Sequence, residues 1–325
     1  MNEVADIIEK SKVSTPNYKE NSQMEFWETM DTIVNQYRKS IVGISISMPG
    51  MLNSESGYCK TAGMVTYLNE TPITEIFEKR YGIPTVVEND GKCAALAEYW
   101  KGNLQECRNG AVVILGTGIG GGLVIDGKLY KGQRFTAGEY SYILTEEKKK
   151  YELDGYWGFS CGAEGLAKLV VDRTGEDLTK LNGVRIFERA NEGEQAVLDA
   201  LKDYTDRLAI QIYNLNIMLD LDVIAIGGGI SQQPLLLEYL EKSIEQLIKY
   251  HPIQQLSPYI PTPSITTCRF YNDANLIGAL YHFYSDRRDV RCLHFQKNFY
   301  GAVQQQQTSA KVLTMKTEKV LIFRT

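Results

Sequence analysis

The residues best suited to chemistry begin with a glycine-rich stretch, Leu115–Gly122 (LGTGIGGG). Glycines at this density let backbone N–H groups approach a polyphosphate without obstruction from side chains. The stretch contains the spacing of the dinucleotide-binding motif, but that motif must open a helix, whereas an apolar strand pattern and the turn signal Asp126-Gly127 follow here. We therefore predict a phosphate loop between two strands. The alternative is a glycine-rich turn that binds nothing.

A second candidate is Glu88-Asn89-Asp90, between a predicted strand and a predicted helix. A carboxylate at a strand end can take a proton from a substrate hydroxyl, a role that suits Asp90. Asn89 can hydrogen-bond a neighbouring hydroxyl. The alternative is that Asn89 or Asp90 only caps the helix that follows.

Two further motifs are weaker when each is considered alone. Ile226–Ser231 (IGGGIS) lies between a predicted strand and a predicted helix, which suits either close approach of a nucleotide to the backbone or an ordinary tight turn. Glu139 follows Gly138 shortly after the second predicted strand of the hairpin. By itself it is the kind of glutamate found on any protein surface.

Alternating helices and strands carry these motifs, which indicates an α/β protein. In the first part of the chain, hydrophobic periodicity and turn residues predict helices over Ser22–Arg38, Ile73–Tyr81 and Lys92–Trp100, with strands over Ile41–Ser47 and Thr85–Val87. From Ala111 onwards we predict consecutive strands joined by glycine turns, then a long amphipathic helix over Glu192–Leu219, a strand over Val223–Ile226 and a helix over Pro234–Lys249.

This pattern predicts four segments. Residues 1–108 form a smaller α/β lobe, 109–271 a larger α/β lobe with the phosphate loop, and 272–284 a segment that returns to the first lobe. Residues 285–325 form an atypical tail, which is either a terminal extension without structure or one or two strands within Lys311–Phe323.

Composition excludes several classes of function. Of the 325 residues, 43% are hydrophobic and 23% charged, so disorder is disfavoured. A net charge of −5 argues against a broad nucleic-acid surface, and no apolar run has the length of a membrane span. The acidic start lacks a signal-peptide core, and the 6 cysteines form no CxxC pair. We therefore expect a cytoplasmic protein that binds neither nucleic acid nor membranes.

Taken together, the motifs resemble those of the ROK family of sugar kinases and repressors, within the actin-like ATPase superfamily. The resemblance covers about Ile7 to Phe283 and depends on SMPG (Ser47–Gly50), END (Glu88–Asp90), LGTGIGGG, AGEYSYI (Ala137–Ile143), IAIGGGIS and NDANLIGAL. It implies a two-lobed, ribonuclease H-like α/β fold with mixed sheets and a central cleft that closes on a sugar.

The resemblance also implies an ATP-dependent kinase that acts with Mg²⁺ on a hexose or hexose-derived sugar. Asp90 would be the catalytic base, and the partner would be a small-molecule sugar, with a homodimer as the usual assembly. The implied binding residues are Asn89, Glu139 and Tyr142 for sugar hydroxyls, Thr117, Gly118 and Gly120 for phosphate, and Gly227, Gly228 and Gly229 for adenosine.

The chain departs from the family pattern at its start. The family opens with an Asp-Gly-Gly-Thr phosphate loop on a hairpin, but here no glycine precedes Gly43. We therefore expect the first phosphate loop and its two strands to be missing and the activity to be impaired. Lys311–Phe323 is a candidate to fill the open edge beside Ile41–Ser47. The alternative function is a non-catalytic sugar-binding or regulatory protein of this family; a repressor is disfavoured because no winged helix precedes the kinase-like part.

A second departure concerns metal. Many members hold zinc through one histidine and three cysteines, and the corresponding positions here are Tyr142, Phe159, Cys161 and Leu166. One thiolate cannot hold a structural zinc ion, so we expect none. The family's next sugar-binding glutamate falls at Lys168, with Glu164 as a candidate substitute.

Overall fold

The computed structural model describes residues 1–16, 22–253, 259–286 and 318–324. It divides into two compact units, Met1–Leu96 with Asn275–Thr325, and Ala97–Ala274. The first division falls inside the helix Asp90–Lys101, whereas the boundary between the predicted lobes lies near Arg108. The chain re-enters the first unit at Asn275, inside the expected return segment.

The described helices and strands follow the α/β order that the sequence predicts. The helices are α1 (Ser22–Tyr37), α2 (Ile73–Tyr81), α3 (Asp90–Lys101), α4 (Trp157–Ser160), α5 (Ala163–Thr174), α6 (Gly183–Asn191), α7 (Gln195–Leu219), α8 (Pro234–Lys249) and α9 (Ala274–Asp286). The strands are β1 (Gly43–Met48), β2 (Leu52–Asn53), β3 (Tyr58–Cys59), β4 (Thr71–Pro72), β5 (Thr85–Asn89), β6 (Gly110–Leu115), β7 (Ile119–Ile125), β8 (Lys128–Tyr130), β9 (Val223–Gly228), β10 (Ile265–Thr267) and β11 (Val320–Arg324).

The main sheet of the first unit has the order β11-β1-β5, and both pairings are parallel. The β11–β1 register runs from Gly43 opposite Val320 to Ser47 opposite Arg324, and Met48 faces Asn89 at the end of β5. The carboxyl ends of the three strands therefore lie at one edge. A small antiparallel sheet, β2-β3-β4, completes the strands described in this unit.

The tail contributes a strand to this sheet. The expectation that Lys311–Phe323 fills the open edge of β1 is confirmed for residues 320–323, and the alternative of a tail without structure is wrong for β11. Residues 287–317 lie outside the described part of the chain. Val320 is buried, and the ring of Phe323 lies 6.2 Å from that of Phe77 in the core of this unit, so apolar packing as well as backbone pairing holds the strand.

The second unit is built on a mixed sheet of order β10-β9-β6-β7-β8. β6, β9 and β10 are parallel, while β7 and β8 continue from β6 as antiparallel hairpins. The predicted Asp-Gly turn joins β7 to β8, with positive φ at both Asp126 and Gly127 as a type I′ turn requires. The apolar face of α7, including Leu201, Leu208 and Ile212, is buried in the core of this unit.

None of the helices in the described ranges combines the length and apolar character needed to cross a bilayer.

Candidate active site

The junction of β5 and α3 positions the acidic motif of the first unit. Glu88 and Asn89 are buried at the end of β5, and Asp90 is the half-buried first residue of α3. The side-chain oxygen of Asn89 accepts a hydrogen bond from the N–H of Lys92 at 3.1 Å, so Asn89 caps the helix. Its amide nitrogen donates to the carbonyl of Gly50 at 3.0 Å, which joins the SMPG and END motifs.

Asp90 has the environment of a proton acceptor. Its Oδ1 accepts a hydrogen bond from the N–H of Gly91 at 2.8 Å, which fixes the orientation of the carboxylate at the edge of the sheet. Burial raises the pKa of Asp90 above its ordinary value, while the Gly91 N–H and the positive charges of Arg324 and Lys92 oppose this effect. A carboxylate whose pKa is raised is a stronger base once it has ionised.

The glycine-rich stretch forms the turn between β6 and β7, so the prediction of a strand-to-strand loop is confirmed and no helix follows it. Leu115, the last residue of β6, pairs with Ile119 on one side and with Gly228 of β9 on the other. The register therefore brings the two glycine motifs of the second unit together around one residue. Thr117 is exposed at the tip of the turn.

The fold requires some of these glycines. A Cβ at Gly121, whose φ is +153°, would lie 1.9 Å from the Val112 carbonyl oxygen, and one at Gly228, with φ +100°, would lie 2.1 Å from that of Leu115. A Cβ at Gly118 would approach the Ser141 hydroxyl to 2.8 Å. At these positions close backbone packing or a left-handed conformation excludes a larger residue.

At other positions in these motifs the packing does not require glycine. A Cβ at Gly120 or Gly229 would meet no atom within 4 Å. The absence of a side chain there leaves space beside the backbone for an approaching phosphate group or nucleotide. The residues present therefore fit a nucleotide's polyphosphate. Gly227 differs from both, because it is buried and its Cβ would meet Ile114 and Cys268.

The loop with Glu139 and Tyr142 is attached to this glycine turn. Both residues belong to a tight turn, Glu139 half-buried and Tyr142 exposed. Between them, the hydroxyl of Ser141 accepts a hydrogen bond from the N–H of Ile119 at 3.1 Å and donates to its carbonyl at 3.0 Å. The structure thus brings Glu139 and Tyr142 to the predicted phosphate loop, whereas Asn89 and Asp90 belong to the other unit.

The four positions that correspond to zinc ligands in the family differ in their exposure to solvent. Tyr142 and Phe159 are exposed, while Cys161 and Leu166 are buried, and burial raises the pKa of the Cys161 thiol to about 11. Within the described ranges no three His, Cys, Asp or Glu side chains are grouped so as to hold a metal ion. Glu164, the candidate substitute for the missing sugar-binding glutamate, forms an ion pair with Lys168 at 3.3 Å.

Hydrogen bonds organise the loop between Ile143 and Trp157. The N–H of Thr145 donates to the Gly155 carbonyl at 2.8 Å, and the N–H of Trp157 donates to the Ile143 carbonyl at 2.8 Å. Lys149 forms an ion pair with Asp154 at 2.9 Å across the loop. The buried Trp157 packs against Tyr140, with ring centroids 5.6 Å apart, so the base of the loop is anchored in the core.

The sequence did not single out three residues that make contacts near the predicted site residues: Ser141, Asn275 and Arg324. Asn275 and Ser141 lie inside the motifs NDANLIGAL and AGEYSYI, but the sequence does not indicate which groups they hydrogen-bond. Arg324 lies far from every motif along the chain, and only strand pairing brings it near Asp90.

The model of the ROK family matches residues 1–285 of the chain. A beta-glucoside kinase from Klebsiella pneumoniae is 32% identical over 249 residues, which is 75% of this chain and 78% of that protein. An N-acetyl-D-glucosamine kinase from Vibrio atlanticus is 29% identical over 260 residues, 76% of this chain and 85% of that protein.

Among solved structures, a ROK family protein from Streptococcus pneumoniae in complex with sucrose is similar, with a TM-score of 0.77 and 27% identity. The match covers 89% of this chain and 94% of that one, so the two units together correspond to nearly the whole of that protein. The expected actin-like ATPase fold is confirmed. The chain therefore belongs to the ROK family, and the curated relatives it matches include beta-glucoside kinases and N-acetyl-D-glucosamine kinases.

Proposed function

We propose that this sugar kinase transfers the γ-phosphoryl group of ATP to a hydroxyl of a hexose or hexose-derived sugar. The observation that carries the proposal is Asp90: a half-buried carboxylate at the carboxyl edge of a parallel sheet, oriented by the Gly91 N–H at 2.8 Å and made more basic by burial. As the sugar oxygen attacks phosphorus, its proton passes to Asp90 while the bond from phosphorus to the ADP oxygen breaks.

The second unit supplies the features suited to the phosphoryl donor. The exposed hydroxyl of Thr117 is a donor for phosphate oxygens, Gly118 gives the turn its tight shape, and Gly120 leaves space for the phosphate beside the strand. Gly229 likewise leaves space for the adenosine. Gly227 and Gly228 form the wall beside the adenosine, where their close contacts with neighbouring strands fix the backbone. ATP would supply the transferred group, and Mg²⁺ would offset the negative charge of its phosphates.

Three side chains would hold the acceptor. Asn89 keeps one amide hydrogen and one lone pair for a sugar hydroxyl after capping α3 and bonding to Gly50. Glu139 would accept hydrogen bonds from sugar hydroxyls, and the exposed Tyr142 would donate one or stack on the ring. Hydrogen bonding of several hydroxyls suits a hexose, which is the class that the beta-glucoside and N-acetyl-D-glucosamine kinases share.

The test is direct measurement of phosphoryl transfer. The purified chain is incubated with ATP, Mg²⁺ and, one at a time, glucose, N-acetylglucosamine, cellobiose and a methyl β-glucoside, and sugar phosphate is detected by mass spectrometry. We expect ATP-dependent formation of a sugar monophosphate with at least one of them. Sugar binding without any transfer would contradict the proposal and favour the non-catalytic alternative.

A further inference from the structure

The C-terminal strand ends beside the proposed base. β11 pairs in parallel with β1, and β1 pairs in parallel with β5, so Arg324 and Asn89 both lie at the carboxyl edge of this sheet. Asn89 is the residue immediately before Asp90. The side chain of Arg324 is exposed to solvent. A cation has thus been placed at the edge where the acidic motif ends.

Asn275 links Arg324 to Asp90. With its amide oriented so that both ends meet a partner, its nitrogen donates to the main-chain carbonyl of Asp90 and its oxygen accepts from Nε of Arg324, each at 3.2 Å. Asn275 belongs to the first turn of α9, so helix, strand and acidic motif are tied together at one point. The guanidinium is therefore held in place by a specific hydrogen bond.

The proposed reaction creates a need for this charge. A phosphoryl group that approaches an ionised carboxylate is repelled, and phosphoryl transfer depends on cations that offset the negative charge of the transferred group. A guanidinium presents donors in a planar fork that matches phosphate oxygens. An exposed arginine fixed within the electrostatic reach of Asp90 meets that need.

We propose that Arg324, delivered by the C-terminal strand and held by Asn275, is a phosphate-binding residue that contacts the polyphosphate of the donor beside Asp90. This inference rests on the proposed function, because the ligand it names is the donor of that reaction. It gives β11 a role in binding in addition to closing the sheet.

The test uses inorganic tripolyphosphate as a probe, so that it does not depend on finding the right sugar. Its binding is measured by calorimetry at low salt for the full chain and for Arg324→Gln, Arg324→Lys and Lys319→Gln. Lys319 is the matched control, since it lies at the opposite end of the same segment and its substitution removes the same charge. Circular dichroism and thermal melting check that each variant is folded.

We expect Arg324→Gln to weaken tripolyphosphate binding about 10-fold or more, the effect of losing one charge-assisted hydrogen bond. Arg324→Lys should recover part of the loss, and Lys319→Gln should bind like the parent chain. The loss should shrink as salt is raised, because screening weakens the ion pair. Equal binding by the folded Arg324→Gln variant, or no binding by the parent chain, would overturn the inference.

Kinetics separate this inference from the proposed function. If the parent chain phosphorylates a sugar, Arg324→Gln should raise the KM for ATP and leave the KM for the sugar unchanged. An active parent with an unchanged KM for ATP in the variant would refute only the role of Arg324. A parent that transfers no phosphate, combined with weakened tripolyphosphate binding in the variant, would refute only the proposed reaction.

Discussion

Val320 and Gly43 are register partners in adjacent parallel strands, although they come from opposite ends of the chain. The pairing is reinforced at its beginning, where the N–H of Val42 donates to the Lys319 carbonyl at 2.8 Å, and on the other side, where the Met1 ammonium donates to the Val320 carbonyl at 2.9 Å. β11 therefore closes an edge of β1 that would otherwise expose a row of unpaired backbone groups.

Placing a charge in β11 should destabilise the first unit. Val320→Asp replaces a buried apolar side chain with a carboxylate, so we expect the free energy of unfolding to fall by roughly 3 kcal/mol or more. Val4→Asp is the matched control, because Val4 is 45% exposed, and it should leave the stability nearly unchanged. Urea titration followed by fluorescence measures both; equal stability of the two variants would contradict the pairing of β11.

Two neighbouring glycines should respond differently to the same substitution. Gly121→Ala forces a methyl group against the Val112 carbonyl in a backbone region that alanine avoids, so we expect a loss of roughly 2 kcal/mol or more in stability. Gly120→Ala meets no atom within 4 Å and should fold normally, but its methyl group obstructs phosphate and should weaken ATP binding. Thermal melting and calorimetry with ATP separate the effects. Normal ATP binding by Gly120→Ala would argue that the turn is only structural.

The pH dependence of catalysis should reveal the environment of Asp90. Burial raises its pKa, so the acid limb of kcat/KM should lie above the pH at which an ordinary aspartate ionises, and activity should fall as pH drops through that limb. Removing the positive charge of Arg324 should move the limb further up, since that charge opposes the effect of burial. A limb at the ordinary aspartate position that does not move in Arg324→Gln would contradict this account.

Zinc should be absent from the purified protein in stoichiometric amounts. Of the four positions that resemble zinc ligands, only Cys161 offers a thiol, and its raised pKa disfavours the thiolate. The hydrogen-bonded loop from Ile143 to Trp157 should also keep its structure in a chelator. Elemental analysis and melting curves with and without EDTA test this. About one zinc ion per chain, or a melting temperature lowered by EDTA, would contradict it.

Local sequence signals predicted most of the elements. Helix α2 ends at Tyr81 because Gly82 adopts the left-handed conformation that a C-cap favours, and α8 begins at Pro234, the residue predicted as its start. The predicted helix over Glu192–Leu219 was too long at its start, because Glu192, Gly193 and Glu194 separate α6 from α7. Each of these depends on residues only a few positions apart.

Long-range relationships were harder to predict. The hydroxyl of Ser141 bonds to Ile119 at the end of the glycine turn, and no periodicity indicates that contact. Asn89 caps α3, as one interpretation proposed, while its contact with a sugar hydroxyl stays a prediction; its residue type alone could not decide between the two. The approach of Arg324 to Asp90 depends on the pairing of β11 with β1, which the sequence offered only as one candidate for an open edge.

The central claim is that Asp90 accepts the proton of the sugar hydroxyl. Asp90→Asn keeps the side-chain oxygen that accepts from the Gly91 N–H and removes a carboxylate whose ionised form burial disfavours. Because burial raises the pKa of Asp90 in the folded state, ionisation of this carboxyl destabilises the fold. The destabilisation develops as the pH rises from the pKa of the unfolded chain through that of the folded one. The variant should therefore be at least as stable as the parent at neutral pH. Asp172→Asn, at an exposed position in α5, is the matched control.

The most direct measurement is the rate of transfer of radiolabelled γ-phosphate to the best sugar substrate, in the parent chain, Asp90→Asn and Asp172→Asn. We predict that Asp90→Asn lowers the rate by about 10²–10⁴-fold while sugar binding is retained, and that Asp172→Asn transfers phosphate at the parental rate. A folded Asp90→Asn variant that phosphorylates the sugar at close to the parental rate would contradict the assignment of Asp90 and the mechanism built on it.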